Sequence, residues 1–160
     1  MHFISNIYYL YEEINLIKVN NMLNKESFVS ELVQFYEEHN INPLHCYVSH
    51  GGAMLMHGLR IHTEDIDLSV SREIWDRFAA QYEVTHLPAK GQVAAVNLIS
   101  VTDNIDIHCV EDEVAELVSE GVIQFTSLKQ TYTDKVLLSR EKDIKDIEAL
   151  AHVLYVNSDR

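Results

Sequence analysis

The sequence is poor in basic residues and in cysteine. Twelve Lys and Arg residues stand against 25 Asp and Glu residues in 160 positions, giving a formal net charge of −13. This charge repels nucleic-acid phosphates at long range, so it excludes a uniform basic face for duplex DNA, and any nucleic-acid contact has to be local. The two cysteines, Cys46 and Cys109, lie far apart in apolar surroundings. Their placement argues against a disulfide framework or a zinc knuckle and predicts reduced thiols in a cytoplasmic protein.

Long apolar runs are also missing. No run approaches the roughly 18 residues that a membrane-spanning helix needs, so we expect no membrane partner. Residues 1–21 are rich in Ile, Leu and Tyr but lack a basic start and a cleavage site, which argues against a signal peptide. Their apolar residues recur at helical spacing, at Ile7, Tyr11, Ile14 and Ile17. We expect either an extra helix that packs on the domain or on a partner chain, or an extension upstream of a start at Met22.

Residues 22–160 contain no linker, repeat or low-complexity segment and have the length of one domain. Periodicity predicts strands at 44–49, 64–70, 92–100 and 104–110, the last two forming a hairpin. It predicts helices from Asn24 to about 39, over 53–59, from Ser71 through Phe78, from Thr126 to about 140, and over 142–155. Strands mixed with helices in one unit indicate an α/β or α+β domain.

Glycine is scarce as well, yet two of the five glycines are adjacent, at Gly51 and Gly52. Twelve residues later come Asp65 and Asp67, which share one face of the predicted strand while Ile66 points to the other. Two carboxylates held this close repel each other unless a cation lies between them. The spacing therefore indicates a divalent cation.

The predicted strand 104–110 supplies a third acid, Asp106, on the same face as His108. If this strand pairs near residues 65–68, three carboxylates meet on one sheet face and can hold two Mg²⁺ ions for phosphoryl chemistry. Glycines at a strand-to-helix turn let the backbone approach a phosphate closely. The pattern thus predicts an NTP as co-substrate and two Mg²⁺ ions as cofactors. No HExxH motif accompanies the nine histidines, which argues against a zinc hydrolase.

These residues resemble a known pattern. The diglycine Gly51-Gly52, a gap of twelve residues and then Asp65-Ile66-Asp67-Leu68 is similar to the signature of the DNA polymerase β-like nucleotidyltransferase superfamily. Arg60, Thr63-Glu64 and the later series Lys135, Arg140 and 142–147 resemble the branch of AbiEii-type abortive-infection and toxin-antitoxin nucleotidyltransferases. The likeness covers about residues 44–150. It implies the nucleotidyltransferase fold, a small mixed twisted sheet flanked by helices.

The resemblance also implies an activity and residue roles. Such enzymes transfer NMP from an NTP to a hydroxyl on RNA, a protein or a small molecule and release pyrophosphate. By this likeness Asp65, Asp67 and Asp106 are the catalytic and metal-binding acids. The likeness also implies residues that bind the nucleotide, namely Ser49, Gly51, Gly52 and Lys135. Residues that it implies for contact with the substrate or its orientation are His50, Arg60, His108, Asp143 and Asp146.

Other interpretations stay open at this point. Asp143 and Asp146 could instead form helix charge pairs with Lys142 and Lys145. The acidic surface favours a protein or small-molecule acceptor. A tRNA acceptor is also possible, because several cations could form a local basic rim, namely Arg60, Arg72, Lys90, Lys129, Lys135 and Arg140. One rival function is a catalytically degenerate member that binds or regulates a second protein or forms a homodimer. Another is a small-molecule (antibiotic) nucleotidyltransferase. The chain lacks an obvious large C-terminal helical domain, so the acceptor does not carry over.

Overall fold

The computed structural model describes residues 22–91, 93–110 and 114–156; the prediction for residues 1–21 lies outside this range. Its helices are α1 (Lys25–Glu38), α2 (His50–Met56), α3 (Arg72–Ala79), α4 (Leu128–Leu138) and α5 (Ile144–Ala151). Its strands are β1 (Cys46–Ser49), β2 (Ile66–Val70), β3 (Thr85–Leu87), β4 (Val96–Ser100), β5 (Ile105–Cys109), β6 (Leu117–Glu120) and β7 (Ile123–Thr126). Short 3₁₀ turns at Pro43–His45 and Glu141–Asp143 and a π turn at His152–Val156 complete it. The predicted mixed α/β architecture is confirmed.

The strands form one seven-stranded mixed sheet in the order β3-β4-β5-β2-β1-β7-β6. Strand β2 pairs with β5 in parallel, and β1 pairs with β7 in parallel. The remaining neighbours are antiparallel, including the predicted hairpin of β4 and β5. The central strands therefore come from distant parts of the sequence, which brings residues near 48, 67 and 106 together.

One face of the central strands packs into the hydrophobic core. Ile66 and Leu68 on β2 and Ile105 and Ile107 on β5 are at most 1% exposed. Because side chains alternate along a strand, Asp67 and Asp106 leave the opposite face. Burial of each such aliphatic side chain stabilises the fold by roughly 1.5–3 kcal/mol, so the core fixes which face carries the acids.

Helix α1 covers this core through Phe28, Leu32 and Phe35, all buried. Its start is set by Asn24, whose side-chain oxygen accepts a hydrogen bond from the Ser27 backbone N–H at 2.8 Å. The predicted Asn24 cap is confirmed. Among the described helices, none is both long and apolar enough to cross a bilayer.

Several element boundaries differ from those the sequence predicts. Helix α2 begins at His50, so both glycines lie inside its first turn, three residues before the predicted start. Thr126 ends β7, and Ser127 caps α4 instead. The hairpin of β6 and β7 was not predicted from the sequence, in which β6 falls within an acidic stretch. Cys46 is buried and neither cysteine forms a disulfide, as expected.

Candidate functional site

Three polar side chains stand in one row across the sheet. Ser49 on β1 is the register partner of Asp67 on β2, and Asp67 is the register partner of Asp106 on β5. Partners on neighbouring strands present their side chains on the same face. Asp65 lies one residue before β2 begins and two positions before Asp67. The pairing of β2 with β5 thus gathers the three predicted acids at one place on the sheet.

The charges of these acids act on one another. Burial raises the pKa of Asp67, and the nearby carboxylate of Asp106 raises it further. Partial burial and then Asp106 also raise the pKa of Asp65. Since a raised carboxyl pKa means that the ionised form is disfavoured, this part of the sheet holds uncompensated negative charge. Such a site favours a cation or a proton.

The acids do not converge into a preformed metal site. Asp106 Oδ1 accepts a hydrogen bond from Ser100 Oγ at 2.6 Å, and Ser100 belongs to β4, on the side of β5 away from β2. Within residues 22–91, 93–110 and 114–156, no three His, Cys, Asp or Glu side chains are grouped to hold a metal ion. The donor chemistry nevertheless fits a hard divalent cation, because carboxylate oxygens are the ligands that Mg²⁺ takes.

The junction of β1 and α2 lies beside Asp67 and contains unpartnered polar atoms. His50 occupies the left-handed region with φ 56°, which is uncommon for a residue with a side chain. Ser49 Oγ and His50 Nδ1 are both buried without a hydrogen-bond partner. Buried polar atoms are normally paired, so these two atoms at one turn are free to bind a polar group of a ligand.

Packing explains why glycine occupies both positions, for a different reason at each. A Cβ on Gly52 would lie 2.6 Å from Val48 Cγ1 and 2.8 Å from Phe28 Cζ, inside the core. A Cβ on Gly51 would lie 2.5 Å from Arg60 Nη1 and 3.2 Å from Thr63 Oγ1. The diglycine therefore admits close packing on both sides, and the Arg60 guanidinium covers Gly51 where a phosphate contact was expected.

Two histidines of the site are held neutral. Burial lowers the pKa of His50 to about 4, against an opposing effect of Asp134 and with small contributions from Lys135, His108 and Arg140. Burial also lowers the pKa of His108, opposed by Asp67, and its Nε2 lies 2.8 Å from Ser69 Oγ. At neutral pH each ring keeps one donor and one acceptor nitrogen.

A buried ion-pair network lies next to the junction. Lys135, only 3% exposed, places Nζ 3.2 Å from Asp143 Oδ1 and 3.2 Å from Asp146 Oδ2. Arg140 binds Asp143 through Nε at 2.7 Å, and Arg60 binds Asp146 through Nη2 at 2.5 Å. The acids of this segment thus pair with Lys135 and two arginines. The helix pairs with Lys142 and Lys145 considered above are not among these contacts.

Three contacts of the site were not predicted from the sequence. Ser100 and Ser69 are single polar residues in strands, and only register brings them to Asp106 and His108. Arg60 and Asp146 are 86 positions apart. Alternation in 96–100 could have shown that Ser100 and Asp106 sit on polar faces, but not that they touch.

Two other features lie apart from the acids. His57 Nε2 lies 2.8 Å from the Thr126 carbonyl oxygen, which gives this histidine a structural role. A cavity of about 450 Å³ lies along α1, lined by Ser27, Glu31, Phe35, Glu38, Thr102 and Ile105 among others. Ile105 belongs to the core face of β5, opposite Asp106, so this cavity is not part of the row of acids.

Ser49, Asp67 and Asp106 therefore share one row, with Asp65 beside them, two orphaned polar atoms at its end and a buried charge network behind it. No family model, no curated protein and no solved structure matches the chain.

Proposed function

We propose that this chain is a metal-dependent nucleotidyltransferase that transfers NMP from an NTP to a hydroxyl acceptor. The observation that carries the proposal is the row of Ser49, Asp67 and Asp106 ending at the unpartnered Ser49 Oγ and His50 Nδ1. Acids for a cation and unpaired polar groups for an anion lie side by side, which is the requirement for binding a metal–triphosphate.

The three carboxylates would hold the metal. Asp65, Asp67 and Asp106 carry the donor oxygens, and burial together with the charge of Asp106 raises the pKa of Asp65 and Asp67, which favours a bound cation. Bound Mg²⁺ would neutralise these acids and stabilise negative charge on the phosphate oxygens. Asp106 would exchange its Ser100 hydrogen bond for this role.

The remaining residues would bind and orient the substrate. Ser49 Oγ–H and the neutral His50 ring can pair with oxygens of the polyphosphate, which satisfies both orphaned atoms. The acceptor oxygen forms a bond to the α-phosphorus, the bond from that phosphorus to the pyrophosphate oxygen breaks, and pyrophosphate leaves. Asp106 would accept the proton that the hydroxyl loses.

A second candidate is a catalytically degenerate relative that binds nucleotide and regulates a partner protein. Asp106 is engaged by Ser100, Lys135 is neutralised by two acids, and Arg60 lies over Gly51. Each of these contacts removes a group that a transferase would use. The setting we propose for either function is a toxin-antitoxin or phage-defence system. The transferase would use a protein, a tRNA or a small molecule such as an antibiotic as its acceptor.

Incubation with each α-labelled NTP and MgCl₂ tests the proposal, with cell protein, purified tRNA and small hydroxyl compounds as separate acceptors. We expect label to enter one acceptor class with wild-type protein and to fall at least a hundredfold with Asp67→Asn, on the order expected for loss of a metal ligand. The matched control is Asp103→Asn, an exposed acid in the turn between β4 and β5, which should keep full activity. NTP binding without a labelled product in any arm would support the degenerate binding protein instead.

A further inference from the structure

Arg60 links the first turn of α2 to the last described helix. Its guanidinium lies against Gly51, where a Cβ would come within 2.5 Å of Nη1. The same group donates from Nη2 to Asp146 Oδ2 on α5 at 2.5 Å. Gly51 directly follows Ser49 and His50, whose orphaned atoms mark the anion-binding end of the row. Arg60 is thus a cation beside the unpartnered atoms of Ser49 and His50, and its charge is paired with Asp146.

Among the three cations of the network, Arg60 is best placed to meet an incoming anion. The Lys135 side chain is only 4% exposed and binds two acids. Arg140 is 35% exposed but donates two hydrogen bonds to Asp143, from Nε to Oδ2 at 2.7 Å and from Nη2 to Oδ1 at 3.0 Å. Arg60 is 34% exposed and makes a single contact with Asp146. A phosphate offers an arginine two parallel hydrogen bonds, so exchange of that one contact is favourable.

Asp146 is the acid that such an anion would displace. Its Oδ2 is shared between Arg60 and Lys135, whereas Asp143 is 1% exposed and receives bonds from both Arg140 and Lys135. Losing Arg60 leaves Asp146 paired with Lys135, so no buried charge is abandoned. The network can therefore release Arg60 without coming apart.

We propose that the Asp146 carboxylate is an autoinhibitory stand-in for phosphate, and that Arg60 exchanges from Asp146 to the polyphosphate tail when nucleotide binds. This inference rests on the proposed nucleotide site. It makes Arg60 a ligand of the terminal phosphates and Asp146 a negative regulator of affinity. It also gives Gly51 a function, because any side chain there would push Arg60 away from the junction.

Binding of inorganic tripolyphosphate in MgCl₂ buffer, measured by calorimetry, tests the exchange on the full chain. Removal of the competitor in Asp146→Asn should tighten binding about five- to tenfold, the size expected for a partly exposed ion pair. Arg60→Gln should weaken binding at least tenfold. In the double variant the gain from Asp146→Asn should vanish, because it acts through Arg60. The matched control is Glu148→Gln, an exposed acid on the same helix, which should change affinity less than twofold.

Unchanged or weaker binding by Asp146→Asn, or an equal gain in the Arg60→Gln background, overturns the proposal, as does the absence of tripolyphosphate binding to both wild type and Asp146→Asn. Should Asp146→Asn fail to fold, the wild-type protein still decides the matter. The Arg60 Nε–Hε NMR signal, assigned by its loss in Arg60→Gln, must shift during the titration, and a static signal at saturation is a negative result. Anion binding that follows this pattern without any NMP transfer would refute the transferase and leave the exchange intact.

Discussion

Asp67 on β2 and Asp106 on β5 are direct register partners in a parallel pair of strands, and both leave the face opposite the core. Each carboxylate is placed there by an alternating sequence whose neighbours, Ile66 and Ile105, are at most 1% exposed. The core therefore forces two like charges together. Stability is lost at such a place, and proteins retain this arrangement where a cation or a reaction requires it.

Asp67→Asn should stabilise the chain in EDTA. Burial and the Asp106 charge raise the pKa of Asp67, so its ionised form at neutral pH opposes folding, and removal of the charge should increase the free energy of unfolding. Thermal unfolding measures this, with Asp103→Asn as the exposed control. MgCl₂ should then raise the melting temperature of the wild type but not that of Asp67→Asn. A variant that is less stable than wild type in EDTA would show that the carboxylates do not repel.

His50 should make the protein sensitive to mild acid. Burial lowers the pKa of His50 from 6.5 to about 4, so between these values the unfolded chain binds a proton that the native ring does not. Stability therefore falls as pH falls through this window, by about 3 kcal/mol. The raised carboxyl pKa of Asp67 acts with the opposite sign, since its protonation favours the native state. Comparison of the wild type with His50→Asn separates the effect of His50 from that of Asp67.

The measurement is urea unfolding at several pH values between 7 and 4 for wild type and His50→Asn. Asparagine tolerates the left-handed backbone at φ 56° and does not titrate, so the acid slope should become shallower in the variant. His45→Asn, at an exposed position, is the control and should keep the wild-type slope. Parallel curves for His50→Asn and wild type would contradict the neutral buried ring.

The two glycines should respond differently to alanine. Gly52→Ala places a methyl group 2.6 Å from Val48 and 2.8 Å from Phe28, so it should cost about 2 kcal/mol through overpacking. Gly51→Ala meets the end of the flexible Arg60 side chain, which can move aside, so stability should change by less than about 1 kcal/mol. Urea unfolding of both variants measures this. Equal losses would show that Arg60 is as rigidly held as the core.

Lys135 should be needed for folding more than for contact with ligand. Replacement by Met leaves Asp143 and Asp146 buried with one arginine each, and we expect a loss of about 3 kcal/mol. Lys129→Met, at an exposed position of the same helix, is the matched control and should change stability by less than about 0.5 kcal/mol. A Lys135→Met protein as stable as wild type would favour the earlier expectation that this lysine serves the nucleotide.

The sequence by itself determined the α/β class, the Asn24 cap and the hairpin of β4 and β5. These features depend on periodicity and on contacts a few residues apart, which a sequence displays directly. It also placed Asp106 on a polar strand face, although the partner strand could only be assumed.

Only the tertiary structure decided the parallel register of β2 and β5, the packing reasons for Gly51 and Gly52, and the ion pair of Arg60 with Asp146. Each joins distant segments, and their meeting depends on strand order and on side-chain volumes summed over the whole core, which no local pattern encodes. The glycines show the difference most clearly. The sequence predicts a turn open to phosphate, whereas the fold uses one glycine to seat a core helix and the other to admit an arginine.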